Sequence, residues 1–215
     1  MGQILTIATS KGGGGKTTLT TCLAANLAAQ GYRVAVVDAD PNATFSDWHS
    51  VYEGPPFVCV AEARHIEVVD VAQAQADAHD VVLVDTAGFG NLTAASAMGA
   101  ADFVLIPCMP DRGSIRETLR TAQQTDSLAR AARRAIPYRI VLTQWREGGL
   151  VERATLDELA ELPQLAHRLP FLSGFRKSTF DGKVPVTGRI GHEADRLIAE
   201  LARLGALPAL TEGVV

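Results

Sequence analysis

Two lysines, four consecutive glycines and two threonines fall within nine residues at Ser10-Lys11-Gly12-Gly13-Gly14-Gly15-Lys16-Thr17-Thr18. Glycines without Cβ let successive backbone N–H groups converge on phosphate oxygens. A lysine closing the run places a cation on the β- and γ-phosphates, and the threonine after it offers a hydroxyl to Mg²⁺. The spacing predicts a nucleotide cradle of Gly12, Gly13, Gly14, Gly15, Lys16, Thr17 and Thr18. The general phosphate-loop pattern has glycine where Ser10 stands, a departure that leaves donors and cation in place. Lys11 is a second cation, beyond what one cradle needs. A flexible glycine linker would account for neither the lysines nor the threonines.

The acidic residues divide by position. Asp85 closes the apolar run Val81-Val82-Leu83-Val84, where a buried carboxylate is costly without a cation nearby, so Mg²⁺ held through water is its natural partner. Asp38 and Asp40 lie two apart at the end of Val36-Val37 and share a face if extended geometry continues through both. A turn residue just before Pro41 is the lesser alternative for Asp40.

The loop, the segment Val36-Val37-Asp38-Ala39-Asp40-Pro41-Asn42 and the segment Val81-Val82-Leu83-Val84-Asp85-Thr86-Ala87-Gly88 together resemble the three motifs of the ParA/MinD family of deviant Walker A ATPases. The pattern is nearest to small plasmid-partition ParA proteins. Asn42 departs from the family's usual glutamine. Asp102-Phe103-Val104-Leu105-Ile106-Pro107 and the stretch from Phe180 to Leu204 extend the likeness over most of the chain.

The resemblance implies a set of roles. ATP binds with Mg²⁺ near Thr17, Asp38 and Asp85, and Asp40 orients or deprotonates the attacking water. Lys11 reaches across a nucleotide-sandwich homodimer to the partner's phosphates, a fixed-charge counterpart of the arginine finger. ATP then acts as dimerisation glue, and loss of the γ-phosphate releases it. Gln144, Pro170 and Phe171 frame the adenine, and Arg176 and Lys177 contact DNA without sequence preference. The activity implied is an ATPase that partitions a plasmid or chromosome, or positions another cargo, through a centromere-binding or cargo adaptor protein. Two other classes share the loop. One is an ATP-dependent ligase or synthase of the dethiobiotin or cobyrinate type; the other is a nucleotide-switched protein-binding regulator without DNA. Lys11, and a chain with no substrate-binding insertion, favour the switch.

Elements that could position these residues alternate along the chain. Apolar runs predict strands near Ile4–Thr9, Arg33–Asp38, Phe57–Val60, Asp80–Asp85, Asp102–Pro107, Arg139–Thr143 and Ala166–Leu169, with helices between them such as Ser114–Ala131 and Leu150–Leu162. Leu19, Leu23 and Leu27 follow the loop at helical spacing up to Gly31, so the loop opens a helix whose N-terminus suits a triphosphate. Continuous rather than alternating apolar strands point to an α/β fold, a doubly wound, mostly parallel sheet with helices on both faces. Its active residues gather at the strands' C-terminal ends.

At 215 residues and 47% hydrophobic, the chain suffices for one domain over residues 1–215, with a short flexible tail over 206–215. No apolar run is long enough to span a bilayer, and Met1-Gly2-Gln3 runs directly into the first strand, so a cytoplasmic protein is expected, with the nucleoid rather than a membrane as the surface it could associate with. Cys22, Cys59 and Cys108 show no ligand spacing and are expected as buried free thiols. The five histidines show neither metal-ligand spacing nor a nearby nucleophile. Net charge is −4, but residues 1–107 hold four basic side chains (Lys11, Lys16, Arg33, Arg64) against eleven acidic ones, and the remainder holds 16 against 13. Arg130, Arg133, Arg134 and Arg139 with Arg176-Lys177 are therefore the material for a basic surface, or simply a solvated face.

Overall fold

A computed structural model describes residues 1–88 and 92–210, without the side chain of Arg176. Six strands form one all-parallel sheet in the order β3-β2-β4-β1-β5-β6. They are β1 (Gln3–Ile7), β2 (Val34–Ala39), β3 (Val58–Ala61), β4 (Val81–Thr86), β5 (Phe103–Cys108) and β6 (Tyr138–Leu142). Between and after them run α1 (Lys16–Ala29), α2 (Thr44–His49), α3 (Glu67–Ala78), α4 (Leu92–Ala100), α5 (Arg112–Ala132), α6 (Leu150–Glu158), α7 (Ser173–Asp181) and α8 (Gly188–Arg203). The doubly wound expectation holds, and β2, β4 and β5 are buried along their whole length, as strands covered on both faces must be.

Side-chain alternation sorts the core into two layers. Leu5, Ile7, Val36, Leu83 and Leu105 face Leu19, Leu23, Leu27 of α1 and Leu197, Leu201 of α8. On the other face Ile4, Val37, Val82 and Val84 meet Val68, Ala72 and Ala76 of α3, and Val104, Ile106 and Ile140 meet Met98 of α4 and Ala122 of α5. Asp38 and Asp85 lie side by side in the β2–β4 register, and Ile7 of β1 pairs with Asp85, so the three motif strands end together.

Three expectations change. The segment 166–169 is not a seventh strand. Isolated bridges, Ile140 with Gln164 and Trp145 with Pro170, flank it, and Leu169 N donates to Leu142 O at 2.9 Å, but the amides of Ala166 and His167 turn away to the Glu200 carboxylate, so no ladder runs through the segment. The tail over 206–215 is docked where it is described: Ala206 and Leu207 are buried, and Tyr32 Oη donates to Pro208 O at 3.2 Å. Residues 211–215 lie outside the described residues. Cys22 and Cys108 are buried, whereas Cys59 is half-buried because it sits on the edge strand β3. Trp48 and Trp145 are core, as their size suggests, Trp48 Nε1 donating to Ser178 O at 2.8 Å. Among the described residues no helix is long and apolar enough to cross a membrane.

Candidate nucleotide site

The turn between β1 and α1 is a phosphate cradle by its backbone. Gly13 (φ 70°) and Gly15 (φ 86°) occupy the left-handed region that a side chain would resist. A Cβ on Gly14 would lie 2.9 Å from Thr9 Cγ2, and one on Gly88 would lie 3.1 Å from Gly12 N, so the loop packs tightly behind while Gly12 and Gly13 face open space. Thr86 Oγ1 donates to Ile7 O at 2.9 Å, tying the end of β1 to β4, and Ser10 N donates to Thr121 Oγ1 at 3.4 Å, tying the loop to α5. Gly15 is the N-cap of α1 and makes no side-chain cap, which leaves first-turn N–H groups for an anion.

Lys16 Nζ is buried and donates to Thr9 O at 3.3 Å and Lys11 O at 3.2 Å. Burial pushes its pKa down, with Asp85 and Asp40 pulling it back up. Asp85 is fully buried. Its two oxygens accept from Thr17 Oγ1 at 2.8 Å and Thr20 Oγ1 at 2.9 Å, and desolvation raises its pKa to about 7 against the two hydroxyl bonds. A buried carboxylate sharing a hydroxyl with the threonine after the cradle lysine is the donor set a hard divalent cation takes. Thr17 and Asp85 therefore fit Mg²⁺, and the open glycine loop with Lys16 fits a polyphosphate.

Asp38 is adjacent but committed elsewhere. Its Oδ2 accepts from Ser46 N at 2.7 Å and Ser46 Oγ at 2.8 Å, and its Oδ1 accepts from Asp40 N at 3.2 Å. It braces α2 and the β2 exit from beside Asp85. Asp40 Oδ1 accepts from Asn42 N and Asn42 Nδ2, both at 2.9 Å, so the turn foreseen at Asp40-Pro41 is present. Among the described residues Oδ2 of Asp40 has no donor, and that oxygen stays available to a water.

Lys11 does not join the cradle. Its Nζ bonds both oxygens of Asp111 at 2.7 Å, and Asp111 is the N-cap of α5, accepting from Ser114 N at 2.9 Å. The Lys11 ammonium in turn holds the Asp111 carboxyl below its ordinary pKa against the opposing effect of burial, which is the largest single influence. Gln144, Pro170 and Phe171 come together beside Gly15 and Thr18 in an apolar pocket completed by Leu19, Cys22, Leu169, Leu172 and Phe175. Gln144 stands there with φ 54°, unusual for a non-glycine. The Cys22 thiol on its floor is pushed up to about 12 by burial and is chemically inert.

Arg176 and Lys177 lie on α7. The Arg176 side chain lies outside the described residues, and Lys177 is paired with Asp181 one turn on. Nor do Arg134 and Arg139 extend a patch around them. Arg134 donates to Gly99 O and Ala101 O, and Arg139 to Tyr138 O. Thr20, Ser46 and Asp111 are the functional neighbours that motif reasoning missed. Asp111 alone had a local signal, an aspartate three residues before Ser114 at a helix start.

The family model described as VirC1 protein matches residues 2–194. A virC1 protein of Rhizobium rhizogenes is 31% identical over 169 residues, 75% of this chain and 73% of that one. The maintenance of carboxysome distribution protein A of Halothiobacillus neapolitanus is 30% identical over 184 residues, 83% and 84% of the two chains. Among solved structures, the septum site-determining protein MinD of Pyrococcus horikoshii, complexed with Mg-ADP, superposes with a TM-score of 0.78 at 20% identity over 95% of this chain and 98% of that one.

Proposed function

The chain belongs to the VirC1 protein family, within the ParA/MinD group of ATPases, and on that footing we propose that it is a Mg²⁺-dependent ATPase whose ATP-bound form is a sandwich homodimer that binds DNA without sequence preference. Hydrolysis releases the dimer, and the cycle partitions DNA or positions a cargo recognised through an adaptor protein.

The observation that carries this reading is the separation of the two lysines. Lys16 is buried under the loop where the β- and γ-phosphates belong, whereas Lys11 points out of it to Asp111 at the head of α5. A cation outside its own cradle supports a role toward a second molecule's phosphates once it leaves Asp111, and a charge supplied in trans makes turnover depend on assembly. Gly12 to Gly15, Lys16, Thr17 and Thr18 bind the phosphates, and Gln144, Pro170 and Phe171 bound the base. Thr17 and Asp85 hold Mg²⁺, braced by Asp38, and Mg²⁺ when bound neutralises charge developing on the phosphates. The free oxygen of Asp40 holds or accepts a proton from the attacking water.

The test is a pair of lysine variants measured for ATP binding, light scattering and phosphate release. Lys16→Ala is expected to lose ATP binding. Lys11→Ala is expected to keep binding while losing ATP-dependent dimerisation and turnover. Near-normal dimerisation by both variants would remove the two-lysine mechanism.

A further inference from the structure

The three helices over the second face of the sheet carry opposite charges on their solvent sides. α3 exposes Asp70 and Asp77, neither of which has a partner among the described residues, while Glu67 is paired with Arg64 at 3.1 Å. Beside one exposed acid, Asp126, α5 exposes Arg112, Arg116, Arg120, Gln123, Ser127 and Arg130. At 3.6 residues per turn these six fall within roughly a quarter of the helix circumference, a stripe about 27 Å long. The stripe is built rather than accidental. Glu117, only 3% exposed, accepts from Arg116 Nε at 3.2 Å and Arg120 Nη1 at 2.9 Å, which holds the two guanidinium groups side by side.

α4 lies between the acidic and the basic helix, packed against both. Its outer surface is small and neutral at Ala94, Ala95 and Ser96, and Leu92 at its start is 66% exposed. Ile66, just ahead of α3, is 69% exposed on the same side. One face thus presents acid, a low neutral ridge with an exposed leucine, and base, in that order.

We propose that the α3–α4–α5 face is a self-association surface whose occupant is a second copy of this chain. A twofold axis lying in the interface and parallel to α4 sets α3 of each copy along α5 of the other, so the same acid–base contact forms twice. An axis across the helices would place α3 on α3 and α5 on α5, which like-charge repulsion rejects. The small residues of α4 let the two ridges approach, and Leu92 of each copy is covered near the axis. Charge complementarity within a single face selects a second copy over a foreign acidic partner, which would leave Asp70 and Asp77 facing nothing. The contact uses no residue of the nucleotide site and leaves the strands' C-terminal ends open, so it forms without ATP. Because exposed ion pairs are weak and salt-screened, the association is modest and sensitive to ionic strength.

Sedimentation velocity of the nucleotide-free protein tests this. The unmutated chain is expected to associate in low salt at high concentration and to disperse in high salt. Arg120→Glu with Arg130→Glu, which keeps the Arg116–Glu117 pair, is expected to be monomeric, as is Asp70→Arg with Asp77→Arg. A one-to-one mixture of the two variants is expected to recover the associated species, since both contacts of the mixed pair then join opposite charges; recovery also shows that both variants are folded. Repeating the mixture in a Lys16→Ala background separates this contact from any nucleotide sandwich, and the same recovery is expected there. An unmutated protein that stays monomeric in low salt, or a mixture no more associated than its components, overturns the proposal.

Discussion

At Asp85 folding and chemistry pull in opposite directions. Burial raises its pKa from 3.8 to about 7. Below about pH 4 the group is protonated in both folded and unfolded chains, so it contributes no pH dependence there. Between about pH 4 and 7 only the unfolded chain ionises it, so the nucleotide-free protein loses stability as pH rises through that window, by up to a few kcal/mol at about 1.4 kcal/mol per unit. Asp85→Asn is therefore expected to unfold at higher urea than the unmutated chain at pH 8 and at the same urea near pH 4. With saturating Mg-ATP the order at pH 8 reverses, because the ionised carboxylate then faces a cation. Denaturation curves that differ equally at both pH values would locate the effect in packing rather than charge. Asp40 makes the complementary case. One oxygen is held by Asn42 and the other has no donor among the described residues, so Asp40→Ala is expected to bind ATP and dimerise but to lose turnover by on the order of 10²-fold or more. Wild-type phosphate release by that variant would leave Asp40 as a turn residue. Most of this site was legible, since glycine, lysine and threonine at these offsets have one economical use. Thr20 and Ser46 were not, because a second hydroxyl on Asp85 and a serine under Asp38 depend on which strands end side by side.

At the scale of elements, α5 links the site to the surface. Its N-cap Asp111 both caps Ser114 N and holds Lys11, so one carboxylate serves two purposes that substitutions can separate. Asp111→Asn keeps a capping oxygen and is expected to leave thermal stability nearly unchanged. Asp111→Ala is expected to lose about 1 kcal/mol, the usual cost of an uncapped helix start. If Asn and Ala prove equally destabilising by calorimetry, the Lys11 ion pair, not the cap, stabilises the head of α5. The strands and long helices could be read from the sequence because buried parallel strands are continuous apolar runs. The stretch 166–169 misled for the same reason: Leu165 and Leu169 are buried and donate to β6 carbonyls, but the amides of Ala166 and His167 between them are taken by Glu200 of α8. The tail misled oppositely. Ala206 and Leu207 carry too little pattern to announce a docked segment, and their burial follows from where α8 delivers them.

For the whole molecule, the DNA binding proposed above has to work against a net charge of −4. The basic excess lies beyond residue 107, but the fold distributes it. Arg134 and Arg139 cap carbonyls, Arg116 and Arg120 share Glu117, and Lys177 is paired with Asp181. A single copy thus offers cations spread over α5, β6, α6 and α8 rather than gathered beside Arg176 and Lys177, and binding through the few phosphates that one such site neutralises is weak and easily displaced by salt. Two copies held by ATP double the patch without a new contact, which raises avidity and steepens the salt dependence in proportion to the phosphates neutralised. DNA retention is therefore expected with ATP and not with ADP or without nucleotide, falling linearly in log–log form as salt rises. Arg176→Glu with Lys177→Glu is expected to weaken retention equally on unrelated sequences, since phosphate contacts carry no base information, and to leave ATP-driven dimerisation intact. Retention that is insensitive to this pair but lost in Arg120→Glu with Arg130→Glu would move the DNA contact to α5. An ATP dimer that retains no DNA even at low salt would leave a nucleotide-switched protein binder, in which the −4 charge opposes no partner.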